Sequence, residues 1–345
     1  MSDLPPRPRR RGLVLPFVLV GLLLAVWTGW WFFLAREIET RLETRLAELE
    51  GEGWTVAHGR ISTTGWPFRA RVEIPHLNLL SPSGHGVATS GVVAEANAYN
   101  PDRWVVIAPD DLTVTRAGKG KVTIQGDGVR FSVSRLAARF PDFRVEMIRP
   151  RFVAHSGAEP FPIASADRVE LYTRPDRADD RGADAMEVLF VLTEARGRPG
   201  GPVEGASQQG RLSLRLEGAI QQASRLTGGD SAGVFANWTR AGGRFTDVRG
   251  EVSAGESRAL IRSEALAVNA DGRLQGDIAV EAQQPLAAIS GLARSGSSSV
   301  NRVGAAGAAA ATAVGGDRPL DLIVRFDDGR TWLGPFALAP APKLF

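Results

Sequence analysis

Phe68-Arg69-Ala70-Arg71-Val72-Glu73-Ile74 decides the fold, because every even position is apolar and every odd one charged. A period of two is the mark of a strand with one dry and one wet face. Working outward, the same alternation recurs over 112–115, 129–133, 143–147, 169–172, 186–192, 212–216 and 320–326. Turn-forming strings lie between: Gly65-Trp66-Pro67, Asn100-Pro101-Asp102, Gly118-Lys119-Gly120, Gln125-Gly126-Asp127-Gly128, Ala270-Asp271-Gly272 and Asp328-Gly329. Such a pattern predicts a mainly β chain built on an antiparallel sheet. Helical candidates within it are few and short: 129–140, which reads equally as a strand, 234–241, and 285–294, which enters on a proline. These cannot cover every apolar face. The sheet therefore packs as a sandwich, curls on itself, or leaves an apolar groove, for which Val72 and Phe131 are the candidate lining residues.

Upstream the pattern changes. Residues 12–35 are 24 positions without a charge, ending in Trp30-Trp31-Phe32-Phe33-Leu34-Ala35. As a helix this run reaches roughly 36 Å, against about 30 Å of hydrocarbon, so it is predicted to cross a membrane. Arg7, Arg9, Arg10 and Arg11 precede it, whereas Arg36 and Glu37 follow. That asymmetry makes 1–11 a cytosolic basic tail and puts the bulk of the chain across the membrane. Trp27, Trp30 and Trp31 gather at the far end, where indoles favour the interface. The run exceeds a signal peptide's ~7–15-residue apolar core and no small-residue cleavage site precedes Arg36, which favours an uncleaved anchor. Over 36–52, Ile38, Leu42, Leu46 and Leu49 recur at helical spacing among charges, an amphipathic stalk that ends at Gly51-Glu52-Gly53.

Beyond the stalk, the pattern divides into a first β unit at 53–172, a loop-rich connection with one strand at 173–210, and a second β unit at 211–345. One continuous sheet fits it equally well. Residues 295–317, rich in Ser, Gly and Ala, read as a low-complexity linker.

The 345 residues carry 41 Lys and Arg against 38 Asp and Glu, a net charge of +3. No nucleic-acid footprint follows. Cysteine is absent, which excludes disulfides, thiolate metal sites and cysteine nucleophiles. The four histidines, His58, His76, His85 and His155, stand singly, and no phosphate-binding, dinucleotide-binding or zinc-protease string occurs. Gly229-Asp230-Ser231-Ala232-Gly233 matches the serine-hydrolase turn pattern. All four histidines precede Ser231, so the α/β-hydrolase order fails. A His58, Asp102, Ser231 order is a remote alternative, set against a plain glycine-rich loop. The expectation is a protein that is not an enzyme and carries neither cofactor nor metal.

Gly65-Trp66-Pro67-Phe68-Arg69, following a membrane helix and stalk, resembles the bacterial family called domain of unknown function twenty-one twenty-five. So do Asp271-Gly272-Arg273-Leu274-Gln275-Gly276, the 287–292 stretch, and Phe326-Asp327-Asp328-Gly329-Arg330 with Leu333-Gly334-Pro335. The resemblance covers nearly the whole chain after the anchor and implies a protein anchored in the bacterial inner membrane, its bulk periplasmic, with no assigned activity. More distantly, the strand-turn-strand texture resembles the AsmA-like envelope proteins implicated in phospholipid transport, which implies phospholipid as a partner. The alternative is a scaffold that binds another envelope protein. In the motif itself, Gly65 permits a sharp bend, Pro67 fixes φ, Phe68 opens the dry face, and Trp66 is expected to anchor the core.

Overall fold

The computed structural model describes residues 11–175, 184–226, 234–313 and 318–344. Helix α1 (Arg11–Gly51) carries both the apolar run and the stalk without a break. From Val14 to Val26 its side chains stand exposed. This stretch is long and apolar enough to cross a membrane.

Strands then alternate between two arms of one antiparallel meander. The smaller arm runs β1 (Thr55–Ala57), β4 (Asn78–Leu80), β5 (Gly86–Thr89), β8 (Leu112–Arg116), β9 (Gly120–Gln125), β12 (Arg151–Ala154) and β13 (Ile163–Ser165). The larger arm begins β2 (Ser62–Thr64), β3 (Arg69–Pro75), β6 (Gly91–Asn97), β7 (Asn100–Ala108), β10 (Val129–Ser134), β11 (Asp142–Ile148) and β14 (Arg168–Pro175). Each long strand therefore bends as it passes from one arm to the other, β3 into β4, β7 into β8, β11 into β12. The bends carry residues that interrupt extended backbone: Pro75-His76 with His76 at φ 51°, Pro109, and Arg149-Pro150 with Arg149 at φ 49°. Strand β15 (Ala185–Gly197) pairs with β14 over most of its length and with β13 at its end, so it joins both arms.

The larger arm alone continues through β16 (Leu212–Gln221), β17 (Arg244–Ala254), β18 (Ser257–Val268), β19 (Leu274–Gln283), β20 (Leu320–Asp327), β21 (Arg330–Leu333) and β22 (Phe336–Pro340). The pairing of β15 with β16 carries the sheet across the boundary expected near residue 211. The sheet does not close: β2 and β22 have one strand neighbour each.

Alternation in the sequence becomes two faces of this sheet. One cross-strand row reads Val72, Ala94, Val106, Phe131, Val145, Leu171, Phe190, Leu216, Gly250, Ile261, Val280 and Leu322. Every member is apolar or glycine, so a one-residue slip of any strand would turn that strand's apolar side chains to the wet face. The row behind it holds Arg71, Glu95, Arg144, Glu217, Arg249 and Arg262 among others. The smaller arm folds over the apolar face, joining Leu112 and Ile124 to Val129, Phe131, Val145 and Met147 in one cluster. The stalk covers the first strands, with Ile38, Leu42 and Leu46 against Ile61, Val72 and Ile74.

Several expectations are corrected. Residues 295–317 are not all linker: Arg302–Ala313 is helix α5, counting α2 (Pro202–Ala206), α3 (Val234–Arg240) and α4 (Pro285–Arg294) before it. Its small residues are its packing surface. Gly304, Ala305, Ala308 and Ala309 are buried, and a Cβ on Gly304 would stand 1.9 Å from the Ala337 carbonyl oxygen of β22. Residues 129–134 are strand rather than helix, since Val129, Phe131 and Val133 pair on both sides. Asn100-Pro101-Asp102 opens β7, and the turn lies just before it at Ala98-Tyr99.

Candidate functional site

The motif of residues 65–69 is where the sheet grips α1. Gly65 sits at φ 101°, and a Cβ there would lie 2.8 Å from the Arg69 carbonyl oxygen, so the bend requires glycine. The Trp66–Pro67 peptide is cis. Trp27 Nε1–H donates to the Pro67 carbonyl at 2.8 Å, and Trp31 Nε1–H to the Arg69 carbonyl at 2.8 Å. Trp31 is buried with Ala35 and Ala98. The core anchor is therefore the helix tryptophan. Trp66, expected in that role, is 50% exposed and reaches Thr28 Oγ1 at 3.3 Å, and Phe68 is 64% exposed. Arg69 sits 3.7 Å from Glu95 on the wet face.

Val72 and Phe131 share one row of the apolar face, three strand steps apart. Their surroundings differ. Val72 is fully buried beneath the stalk and lines nothing open, whereas Phe131 is half-buried against Phe143. Past Phe131 the row stays half-buried through Leu171, Phe190, Leu216, Ile261, Val280 and Leu322. Leu171, Leu216, Ile261 and Val280 belong to none of the buried clusters. A strip of apolar side chains in mid-sheet is thus neither sealed nor bare.

The opposite face holds a polar trough of about 940 Å³ across β7 to β17, lined among others by Arg103, Ser132, Asp142, Arg144, Tyr172, Arg174, Glu187, Arg215 and Arg249. An ion network on the same face adjoins it through Arg144. Glu146, 6% exposed, lies within 4 Å of Arg130, Arg144 and Arg168, and Arg144 also reaches Glu170 at 3.1 Å. Arg144 lies over the Tyr172 ring at 4.8 Å, and its Nε–H has no partner. Tyr172 O–H donates to Glu170 at 2.6 Å. Burial, reinforced by that hydrogen bond to a carboxylate, raises the Tyr172 phenol above its usual range. Arg103 and Arg249 make no ion pair among the described residues. This trough escapes a reading of the sequence, because its arginines come from separate strands that only the register brings together.

Of the remote triad, only His58 and Asp102 fall among the described residues. Ser231 lies outside them, as does Asp179-Asp180. His58 Nδ1 is 2.8 Å from its neighbour Gly59's carbonyl oxygen, while Asp102 accepts the Leu136 N–H at 2.8 Å. Also among the described residues, no group of three His, Asp or Glu side chains is placed to hold a metal ion.

No curated protein and no solved structure matches the chain. Residues 31–342 match the family DUF2125, described as an uncharacterized protein conserved in bacteria. The match opens at Trp31, the tryptophan that docks the helix on the motif, and takes in every strand, so the chain belongs to this family.

Proposed function

We propose that this is an anchored, non-enzymatic protein of the bacterial envelope whose sheet receives acyl chains of phospholipid and thereby supports envelope lipid homeostasis. The observation that carries the reading is the half-covered apolar strip of Leu171, Leu216, Ile261 and Val280. Such a strip in mid-sheet costs solvation free energy unless something apolar lies on it, at about 25 cal/mol per Å². An acyl chain supplies apolar area without demanding polar partners, and α1 tethers the strip to a source of such chains. The arginines ahead of residue 12 orient α1 with its N-terminus in the cytosol and the sheet in the periplasm.

The test is mass spectrometry of lipids that co-purify with the full chain, with photo-crosslinkers at Leu171 and Leu216 and, as a wet-face control, at Arg262. Phospholipid adducts from the first two and none from the third are expected. Absence of co-purifying phospholipid, with only protein adducts from the strip, would overturn the lipid reading. A second reading, a scaffold for another envelope protein, draws on the burial of Val72 beneath α1 and on the α4 and α5 packing that closes Leu322 and Leu333 at the other end of the sheet. Protein-only adducts would favour it.

A further inference from the structure

Helix α1 and strand β3 run side by side in the same direction. Trp27 meets Pro67, Trp31 meets Arg69, and Glu39 Oε1 accepts the N–H of Thr63, which faces Val72 across the ladder. The meander's strands thus stand on end beside the helix, and every second turn faces the same way as its apolar run. Three of those turns lie nearest α1: 65–68, 98–99 and 135–141. They are tied together, since the Ala98 N–H donates to the Phe68 carbonyl and the Leu136 N–H to Asp102. They carry Trp66, Phe68, Tyr99 and Leu136, exposed by 50%, 64%, 67% and 47%. The turns at the opposite end, 81–85, 117–119 and 155–159, are Ser-Pro-Ser-Gly-His, Ala-Gly-Lys and His-Ser-Gly-Ala-Glu, and expose no large apolar side chain.

Depth follows from the helix. Trp27 precedes Ala35, the last uncharged residue, by eight residues or about 12 Å. The uncharged run exceeds a hydrocarbon core of about 30 Å by only roughly 6 Å. Even if that whole surplus lies at this end, Trp27 and the Pro67 turn docked on it sit some 6 Å inside the hydrocarbon boundary.

We propose that this edge of the sheet is itself a membrane-binding surface, with Trp66, Phe68, Tyr99 and Leu136 inserted among the lipids around α1. Aromatic rings with one polar atom suit that layer. The partner is the bilayer interface rather than a protein because the surface is continuous with the helix that crosses the bilayer. The inference rests on the anchor reading and adds a second attachment that fixes how the sheet stands.

The chain has no cysteine, so single labels can be placed without removing any residue. The full chain would be reconstituted in phosphatidylethanolamine and phosphatidylglycerol vesicles with an NBD fluorophore at Phe68→Cys, Tyr99→Cys, Leu22→Cys or Ile323→Cys. Ile323, 59% exposed on β20, lies eleven strand steps from β3. Doxyl-labelled lipid is expected to quench the probe at 68 and 99 several-fold more than at 323, as it does at 22, with iodide showing the reverse order. Unfolding temperatures equal to the parent's will show that the substitutions spare the fold. If 22 is quenched by doxyl lipid but 68 and 99 behave like 323, the inserted edge is wrong and the anchor stands. Shielding of 68 and 99 from both quenchers means a protein or a second copy covers the turns, which also overturns the proposal. No doxyl quenching at 22 removes the anchor reading itself.

Discussion

Trp31 ties two structures together with one side chain, since its ring is 4% exposed against Ala35 and Ala98 while its N–H holds the first residue of β3. Trp31→Ala is expected to cost about 3–5 kcal/mol and Trp31→Phe, which spares most of the packing, about 1 kcal/mol. Denaturant unfolding of the detergent-solubilised chain would measure both. Asp184 makes a second residue-scale case. Burial acts to raise its carboxyl, yet the Ser224 hydroxyl at 2.7 Å and backbone N–H at 2.8 Å, with Arg139 and Arg225 nearby, outweigh that and hold it below the ordinary range. A depressed folded value stabilises the fold above the unfolded value of about 3.9 and is lost as pH falls through the folded one. Stability of Asp184→Asn should therefore lie below the parent's at pH 7 and converge on it as pH falls through the depressed folded value. At this scale the sequence was partly legible. It showed that 65–69 was a structural motif, but nothing in a tryptophan's neighbours along the chain says whether its ring packs inward, as Trp31 does, or outward, as Trp66 does.

Strands were the most legible elements, because a charged residue at every second position leaves the chain one way to bury the others. The bends were not, since a kinked strand and two short ones share the same alternation; only Pro75-His76, Pro109 and Arg149-Pro150 hint at a crease. Helix α5 was missed for a related reason. Its dry face is made of glycine and alanine, which carry no hydrophobic signal but allow β22 to approach closely. Gly304→Ala is therefore expected to cost about 1–3 kcal/mol, because the new methyl meets the Ala337 carbonyl rather than a movable side-chain end. Hydrogen exchange should show the loss concentrated in 302–313 and 336–340, with β2 to β7 unchanged. The trough is a third kind of case. Arg144 lies between Glu146 and Glu170, and Arg144→Met leaves two carboxylates abreast in register, a change expected to cost about 2 kcal/mol. Thermal unfolding of the variant, compared with that of Arg103→Met at the unpaired rim, would separate the network from the trough's open cations.

For the molecule as a whole, the reading of α1 as an anchor predicts its orientation: alkaline phosphatase fused after residue 345 should be active and a fluorescent protein that folds only in the cytosol should be dark. The opposite pair of results would reverse the topology. The same architecture has a kinetic meaning. From β3 onward each strand of the meander pairs with one made earlier, at most three strands back in chain order, so a partner of each newly synthesised strand is already present. That order of pairing lets a large sheet grow by accretion from its first hairpin, with α1 as the template for β3. A chain cut after Gly197, where β15 has closed the smaller arm, should thus keep the protease resistance of residues 31–175. One cut after Asn97, before β7 arrives to cover β6, should be degraded.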